Sequence, residues 1–257
     1  MPAERAAIAR HDSHAAPVLF AADMHLDPDR PAVTEAFLRF LASDAARAQA
    51  LYLLGDLFEA WIGDDAVPPE HPVLAALRRL TDSGVSLWLM HGNRDFLLGE
   101  GFEAATGGTL LPEPSLIRID DEPVLIEHGD ALCTDDGEYQ RFRAIVRDPA
   151  WQSRFLALSV SERLAQARQA RAQSSQHGQA TADAIMDVNP GAVAERFREF
   201  GVRRLIHGHT HRPAVHESEV DGTPVTRIVL GDWFEQGSLL RVTDGEYRLE
   251  TLPLPRK

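Results

Sequence analysis

The sequence predicts an α/β fold built on a largely parallel sheet, with an antiparallel edge or second sheet towards its C-terminus. Three features of the sequence carry this expectation. Short apolar runs recur, each closed by a polar cluster. Helical patterns fill the intervals between them. After Thr226 the helical patterns stop, and strand-like runs follow one another through tight turns.

Taken in order, residues 1–16 carry Arg5, Arg10, His11 and Asp12 without an apolar run. They read as a disordered tail and not as a secretory signal, which leaves 17–257 as the folded domain. The first apolar run, 18–22, leads into Asp23-Met24-His25, and the second, 51–54, into Gly55-Asp56. Between them Pro31 suits a first helical position, and Val33, Phe37, Phe40 and Leu41 mark one helical face. Leu74, Leu77 and Leu80 repeat that spacing before Gly84. The run 85–90 then ends in His91-Gly92-Asn93-Arg94-Asp95, and 124–127 ends in His128-Gly129-Asp130.

Residues 136–187 break the alternation and read as an inserted helical cap. Pro149 starts or interrupts one of its helices, and the polar stretch 173–181 reads as a loop. Val193, Phe197 and Phe200 mark a helix before Gly201, and the run 205–207 closes with Gly208-His209-Thr210-His211. Runs 226–230, 238–242 and 247–252 read as strands, with Asp244-Gly245 as one of the turns.

Composition narrows the function. The net charge of −13 argues against a general nucleic-acid binder, which needs a basic surface. A single cysteine, Cys133, excludes an internal disulfide and fits a reducing compartment. No run of about eighteen apolar residues is present to span a bilayer. The cap is the exception to the acidity, with seven arginines between Tyr139 and Ala172 against Asp148 and Glu162.

In open α/β sheets ligands collect beyond the carboxyl ends of the strands, and all five polar clusters sit there. They offer Asp23, His25, Asp56, Asn93, His128, His209 and His211, a nitrogen and oxygen set without thiolate. Taken singly, Asp-x-His is common and Gly-Asp after a strand is often a turn. Jointly they can hold two divalent ions sharing one carboxylate. The donor mixture suits manganese, iron or zinc better than magnesium. Two ions about 4 Å apart activate water and clamp an in-line phosphoryl displacement. His91 and His207 precede motif glycines and read as supporting residues. Asp95 and Asp130 read as carboxylates that orient the ligands or Arg94. His11, His14, His71 and His177 read as surface residues.

The ordered series Asp-x-His, Gly-Asp-x-x-Glu, Gly-Asn-Arg-Asp, His-Gly-Asp, Gly-His-Thr-His resembles the calcineurin-like metallophosphoesterases. That resemblance implies two mixed sheets packed face to face with helices outside. It implies one metal on Asp23, His25, Asp56 and His211, and a second on Asp56, Asn93, His128 and His209. Many members carry histidine where this chain has Arg94. Arginine cannot donate a proton at neutral pH, so it would stabilise phosphate charge, which favours pyrophosphate over alkyl phosphodiester substrates.

Residues 55–65, 91–98, 128–136, 184–189 and 206–216 resemble the UDP-2,3-diacylglucosamine hydrolases of lipid A biosynthesis more specifically. This implies cleavage of UDP-2,3-diacylglucosamine to UMP and 2,3-diacylglucosamine 1-phosphate, with two manganese ions. It also implies a peripheral position at the cytoplasmic leaflet of the inner membrane. Catalytic roles carry over onto Asn93, Arg94 and His128, and substrate contacts onto Asn93, Arg94, Asp136, Ser174 and His209. Gly178 and Thr181 depart from the asparagine and lysine that the family can show. The basic helices of 136–187 would form an acyl groove, with Leu156 or Leu158 facing it.

Overall fold

The computed structural model describes residues 9–68, 70–180 and 187–254, with side chains described except at 173–180. Two six-stranded sheets form its centre. In chain order the strands are β1 (Arg10–His11), β2 (Val18–Ala21), β3 (Ala50–Leu54), β4 (Ser86–Met90), β5 (Thr109–Leu110), β6 (Ser115–Ile119), β7 (Glu122–Ile126), β8 (Arg204–His207), β9 (Ala214–Val220), β10 (Thr223–Val229), β11 (Gly237–Thr243) and β12 (Glu246–Leu252). The first sheet runs β12-β11-β2-β3-β4-β5 and the second β1-β6-β7-β8-β10-β9.

The apolar runs are continuous because their strands are covered on both faces. Along β2, Val18 and Phe20 enter the layer between the sheets, where they meet Ile126, Ile206 and Ile228. Leu19 and Ala21 point the other way, into the core beneath the helices of the first sheet. That period of two repeats in β3, with Tyr52 and Leu54 inward and Leu51 and Leu53 outward.

Helices α1 (Pro31–Ala42), α2 (Pro72–Asp82) and α3 (Glu100–Thr106) belong to the first sheet's side. Proline opens α1 and α2, as expected from its fixed φ and missing N–H. On the far side of the second sheet lies α7 (Pro190–Phe200). It is capped by the Asn189 side chain and buries Phe197 against Leu125 and Leu205. Between β7 and α7 come α4 (Gly137–Val146), α5 (Pro149–Leu156) and α6 (Val160–Ala180). Among the described residues no helix is long and apolar enough to cross a membrane.

Both sheets are mixed, as the family resemblance implies. The parallel strands β2, β3 and β4 gain an antiparallel edge from β11, while β7, β8 and β10 form a second parallel set. The disordered tail is corrected for its described part. Arg10 and His11 pair with Arg118 and Ile119 at the free edge of β6. Ser13 is fully buried, donating its N–H to Asp120 Oδ1 at 2.7 Å. Two-residue pairing plus side-chain bonds needs no apolar run, so the pattern carried no sign of it; residues 1–8 lie outside the described set.

The loop expected over 173–181 is helical to Ala180, and Thr181 lies outside the described residues. Alanine and glutamine favour helix without apolar periodicity. His11 is not a free surface residue either, because its Nε2 lies 2.6 Å from the Tyr52 hydroxyl.

Candidate metal centre

Asp23, Asp56 and Asn93 follow β2, β3 and β4 of the first sheet. His128 follows β7 of the second sheet, and His209 and His211 follow β8. The strand ends of both sheets therefore converge on one seam. Asp23, His25, Asp56, His209 and His211 all have positive φ, between 47° and 68°. Non-glycine residues rarely adopt this left-handed conformation, and such strain concentrates at functional sites. Here it turns the side chains sharply off the strand ends towards one another.

Two groups of ligating atoms result. Asp23, His25 and His211 bring one atom each within 4.8 Å of one another, as do Asp23, Asp56 and His128. Asp56 Oδ2 lies 3.7 Å from His25 Nε2 and 3.9 Å from His128 Nε2, between the two groups. Asn93 Oδ1 lies 3.1 Å from both His128 Nε2 and His209 Nδ1. All seven sequence-predicted ligands are thus within one cluster.

The protonation pattern fits a cation. The Leu54 carbonyl lies 2.8 Å from His128 Nδ1, so that nitrogen carries a proton and donates it. In neutral His128 the bare Nε2 then faces the Asn93 oxygen, lone pair against lone pair. A proton, a metal ion or the reversed Asn93 amide reconciles them. Accordingly, although burial opposes its protonation, Asp56, Asp23 and Asp130 raise His128 to about 9 in the metal-free site. Burial and the charge of His128 push His209 down to about 4. Burial works against the Asp23 charge, yet His211, His128 and His25 hold it at about 2. Among the described residues Asp23 Oδ1 is buried with no hydrogen-bond partner, which suits a metal-ligating oxygen.

Carboxylates behind the ligands set their orientation. Glu59 Oε2 lies 3.2 Å from His25 Nδ1, and Asp232 Oδ2 lies 3.3 Å from His211 Nδ1. Both leave Nε2 facing the centre. Glu113 Oε1 accepts the His128 N–H at 2.7 Å, and its other oxygen pairs with Arg143 at 3.0 Å. The buried Asp130 accepts from the Tyr139 hydroxyl at 2.6 Å and Arg143 Nε at 2.8 Å, tying α4 to the His128 loop.

Asp95 is fully buried and accepts four backbone N–H groups, from Asp56, Leu57, Phe58 and Gly92. It holds the Asp56 and Asn93 loops together. A Cβ on Gly92 would lie 2.0 Å from Asp56 Oδ1, so the loops meet only because that position is bare.

Sequence reasoning gave no role to Glu59, Asp232, Glu113 or Arg143. Glu59 stood inside the quoted Gly-Asp-x-x-Glu pattern, and Asp232 repeats the Gly-Asp pattern after a strand. Glu113 and Arg143 carried no local sign. His91 and His207 turn away as expected, to the Leu98 carbonyl and to Arg227. Burial pushes the Cys133 thiol up to about 12, which leaves it inert.

A groove of about 610 Å³ opens from the cluster at Asn93 and Arg94. Trp61 and Ile62 line it on one side, and Phe142, Val146 and Phe155 on the helical side. Leu156 and Leu158 are corrected as groove residues. Leu156 is exposed and Leu158 packs on the main core, because the α5 turn directs Phe155 inward instead. Asp136 caps α4 by accepting the Tyr139 N–H at 2.9 Å, one turn from the groove-lining Tyr139. The side chains of Ser174, His177 and Gln179 lie outside the described residues, as do those of their neighbours in 173–180.

A family model described as calcineurin-like phosphoesterase matches residues 16–213. A UDP-2,3-diacylglucosamine hydrolase of Chromohalobacter salexigens is 56% identical, covering 84% of this chain and 88% of its own length. One from Stenotrophomonas maltophilia is 51% identical over 91% of this chain and 98% of its own. One from Pseudomonas paraeruginosa is 50% identical over 92% and 99%.

Proposed function

Given that the chain belongs to the calcineurin-like phosphoesterase family, we propose that it is the hydrolase its relatives are named for. It cleaves the pyrophosphate of UDP-2,3-diacylglucosamine to UMP and 2,3-diacylglucosamine 1-phosphate, a step of lipid A biosynthesis. The observation that carries this reading is the junction of two environments. A nitrogen and oxygen ligand cluster meets, at Asn93 and Arg94, the mouth of an apolar-lined groove. One end suits a pyrophosphate and the other a pair of acyl chains.

Divalent metal ions fit the donor set. We assign one ion to Asp23, His25, Asp56 and His211, and a second to Asp56, Asn93, His128 and His209, with manganese as the ion. Bound there, they supply an activated water and neutralise phosphate charge. Arg94 lines the groove, and among the described residues its Nε has no hydrogen-bond partner, so the guanidinium can serve a phosphate oxygen. Breaking a pyrophosphate releases a phosphate monoester, which leaves without requiring a proton. An arginine therefore suffices where an alkoxide leaving group would need an acid. Asn93, His209, Asp136 and Ser174 are the further substrate contacts that the family resemblance implies.

Residues 136–187 act as the acyl cap. Phe142, Ile145, Leu156, Val160 and Leu164 are large apolar side chains left exposed on it, interspersed with arginines. That mixture suits peripheral binding to an anionic leaflet, here the cytoplasmic face of the inner membrane.

The test compares diacylated with non-acylated UDP-glucosamine, with manganese returned after chelation. Turnover should depend on the metal and favour the acylated substrate. In Phe142→Asp the acylated substrate should lose affinity while the non-acylated one is unaffected, since each buried methylene contributes about 0.8 kcal/mol. Equal turnover of both substrates by the wild type would sink the acyl-groove reading.

A further inference from the structure

Helix α6 docks in an unusual way. An outer helix normally buries an apolar stripe. Across the described side chains of α6, residues 160–172, Arg163 alone is buried, at 2% exposure, while the apolar Val160 and Leu164 are 40% and 38% exposed. Among the described side chains the helix is held by cations, the buried Arg163 and, further along, Arg171 in an ion pair with Glu59.

The anchor is built on the loop that follows Asp56. Arg163 donates from Nη1 to the Ile62 carbonyl at 2.6 Å and to Asp65 Oδ1 at 2.8 Å, and from Nη2 to Asp65 Oδ2 at 2.5 Å. Gly63 has φ of 122°, and a Cβ there would lie 2.4 Å from Arg163 Nη1. The guanidinium therefore occupies space that only a bare backbone leaves open. The loop is itself fixed to the core. Asp64 accepts from Trp61 Nε1 at 2.9 Å and from the Gly99 and Phe102 N–H groups of α3 at 3.2 and 3.1 Å.

The two elements that Arg163 joins both line the groove. Trp61 and Ile62 come from the loop, and Gln166, Ala167, Ala170 and Arg171 come from α6. At 1.5 Å of rise per residue these α6 side chains begin about 5 Å beyond the anchor and end about 12 Å beyond it. A shift at Arg163 therefore displaces the wall directly. We propose that Arg163, clamped to Asp65 and the Ile62 carbonyl, is a positioning residue that sets the spacing of the groove and thereby the preference for acylated substrate. This rests on the acyl-groove reading given above.

The test uses Arg163→Lys, which keeps the charge but loses the bidentate fork, and Asp65→Asn. The Asp65 carboxylate is 63% exposed, so the second variant keeps the fold even if the first strains it. Hydrogen exchange along α6 is measured beside steady-state kinetics on diacylated and non-acylated UDP-glucosamine. Exchange in α6 should accelerate in both variants, more in Arg163→Lys. KM for the diacylated substrate should rise about tenfold, as small misplacements of a binding wall do. Bound metal, kcat and turnover of the non-acylated substrate should stay at wild-type values. Unchanged α6 exchange overturns the proposal whatever the kinetics show. Faster exchange with equal effects on both substrates also overturns it, because the anchor would then not serve the groove. A wild type without acyl preference fails the groove reading itself, and is recognised before any variant is made.

Discussion

Asp95→Asn isolates how far the metal centre depends on a residue that faces away from it. In the native chain Oδ1 accepts from Gly92 and Asp56 at 2.8 and 3.2 Å, and Oδ2 accepts from Leu57 and Phe58 at 2.7 and 3.3 Å. An asparagine keeps the shape but turns one oxygen into a donor. Whichever way the amide sits, two buried N–H groups lose their acceptor and face another N–H. Each unsatisfied buried donor costs about 1–3 kcal/mol, so the loss should be about 4 kcal/mol. Set against a typical total of about 5–15 kcal/mol, the protein should still fold. For a chain of this size that corresponds to a fall in Tm of about 10 °C. Because the same bonds hold the Asp56 and Asn93 loops in register, metal affinity should fall about 10- to 100-fold. Thermal melts with and without chelator, together with a manganese titration, measure both. A variant melting within about 2 °C of wild type, with unaltered metal affinity, would refute the reasoning.

Asp56→Ala should remove bound metal and turnover while the far-ultraviolet spectrum stays native; retention of two ions by elemental analysis would contradict a bridging role. Arg94→Ala should lower kcat at least about tenfold with metal content unchanged, as expected for a group acting on phosphate, and parallel loss of metal would show the role to be wrong. In Gly92→Ala the new methyl collides with the Asp56 backbone N, 2.3 Å away, as well as with its carboxylate, so metal binding should be lost while the outer helices keep their exchange protection. Burial lowers the pKa of His11 from 6.5. The unfolded chain therefore binds the extra proton first, and this contribution to stability is present above about pH 6.5 and is lost as pH falls towards the folded value. His11→Gln should be less sensitive than wild type to a drop from about pH 7.5 to about pH 5.5 in urea unfolding of chelated protein, and equal slopes would contradict it.

The candidate ligand positions were legible because they follow doubly covered strands, and such strands announce themselves as apolar runs in one sequence. Asp23, Asp56 and His128 needed nothing more. Glu59 and Asp232 were harder, since a supporting carboxylate is defined by the ring nitrogen it faces, which is a distance and not a spacing. β1 escaped because Arg10 and His11 join an edge through backbone pairing and side-chain bonds, neither of which needs an apolar run. Arg163 was visible only as one of seven arginines on a basic insertion. Sequence cannot distinguish the one that is fully buried from the half-buried or exposed others, because the pocket that accepts it is made by Gly63, a hundred residues earlier. The choice of Leu156 over Phe155 as the groove residue failed for a related reason: α5 is short, and about two turns carry too little periodicity to fix its inward face.

The placement of the ligands across both sheets has a mechanical consequence. Asn93, at the end of β4, shares its oxygen with His128 and His209, which hang from the opposite sheet. Ions held there would act as a clasp at one end of the sandwich, so that the two leaves could not splay or slide without breaking coordination. Motion during turnover would thereby be left to the cap helices α4 and α6, which are fastened through the ion pairs of Arg143 and Arg163. Opening of the leaves becomes instead a route to inactivation, and one whose rate should be set by metal occupancy. Resistance to proteases cutting within the central strands should therefore track the free metal concentration, while cutting within α6 should be indifferent to it.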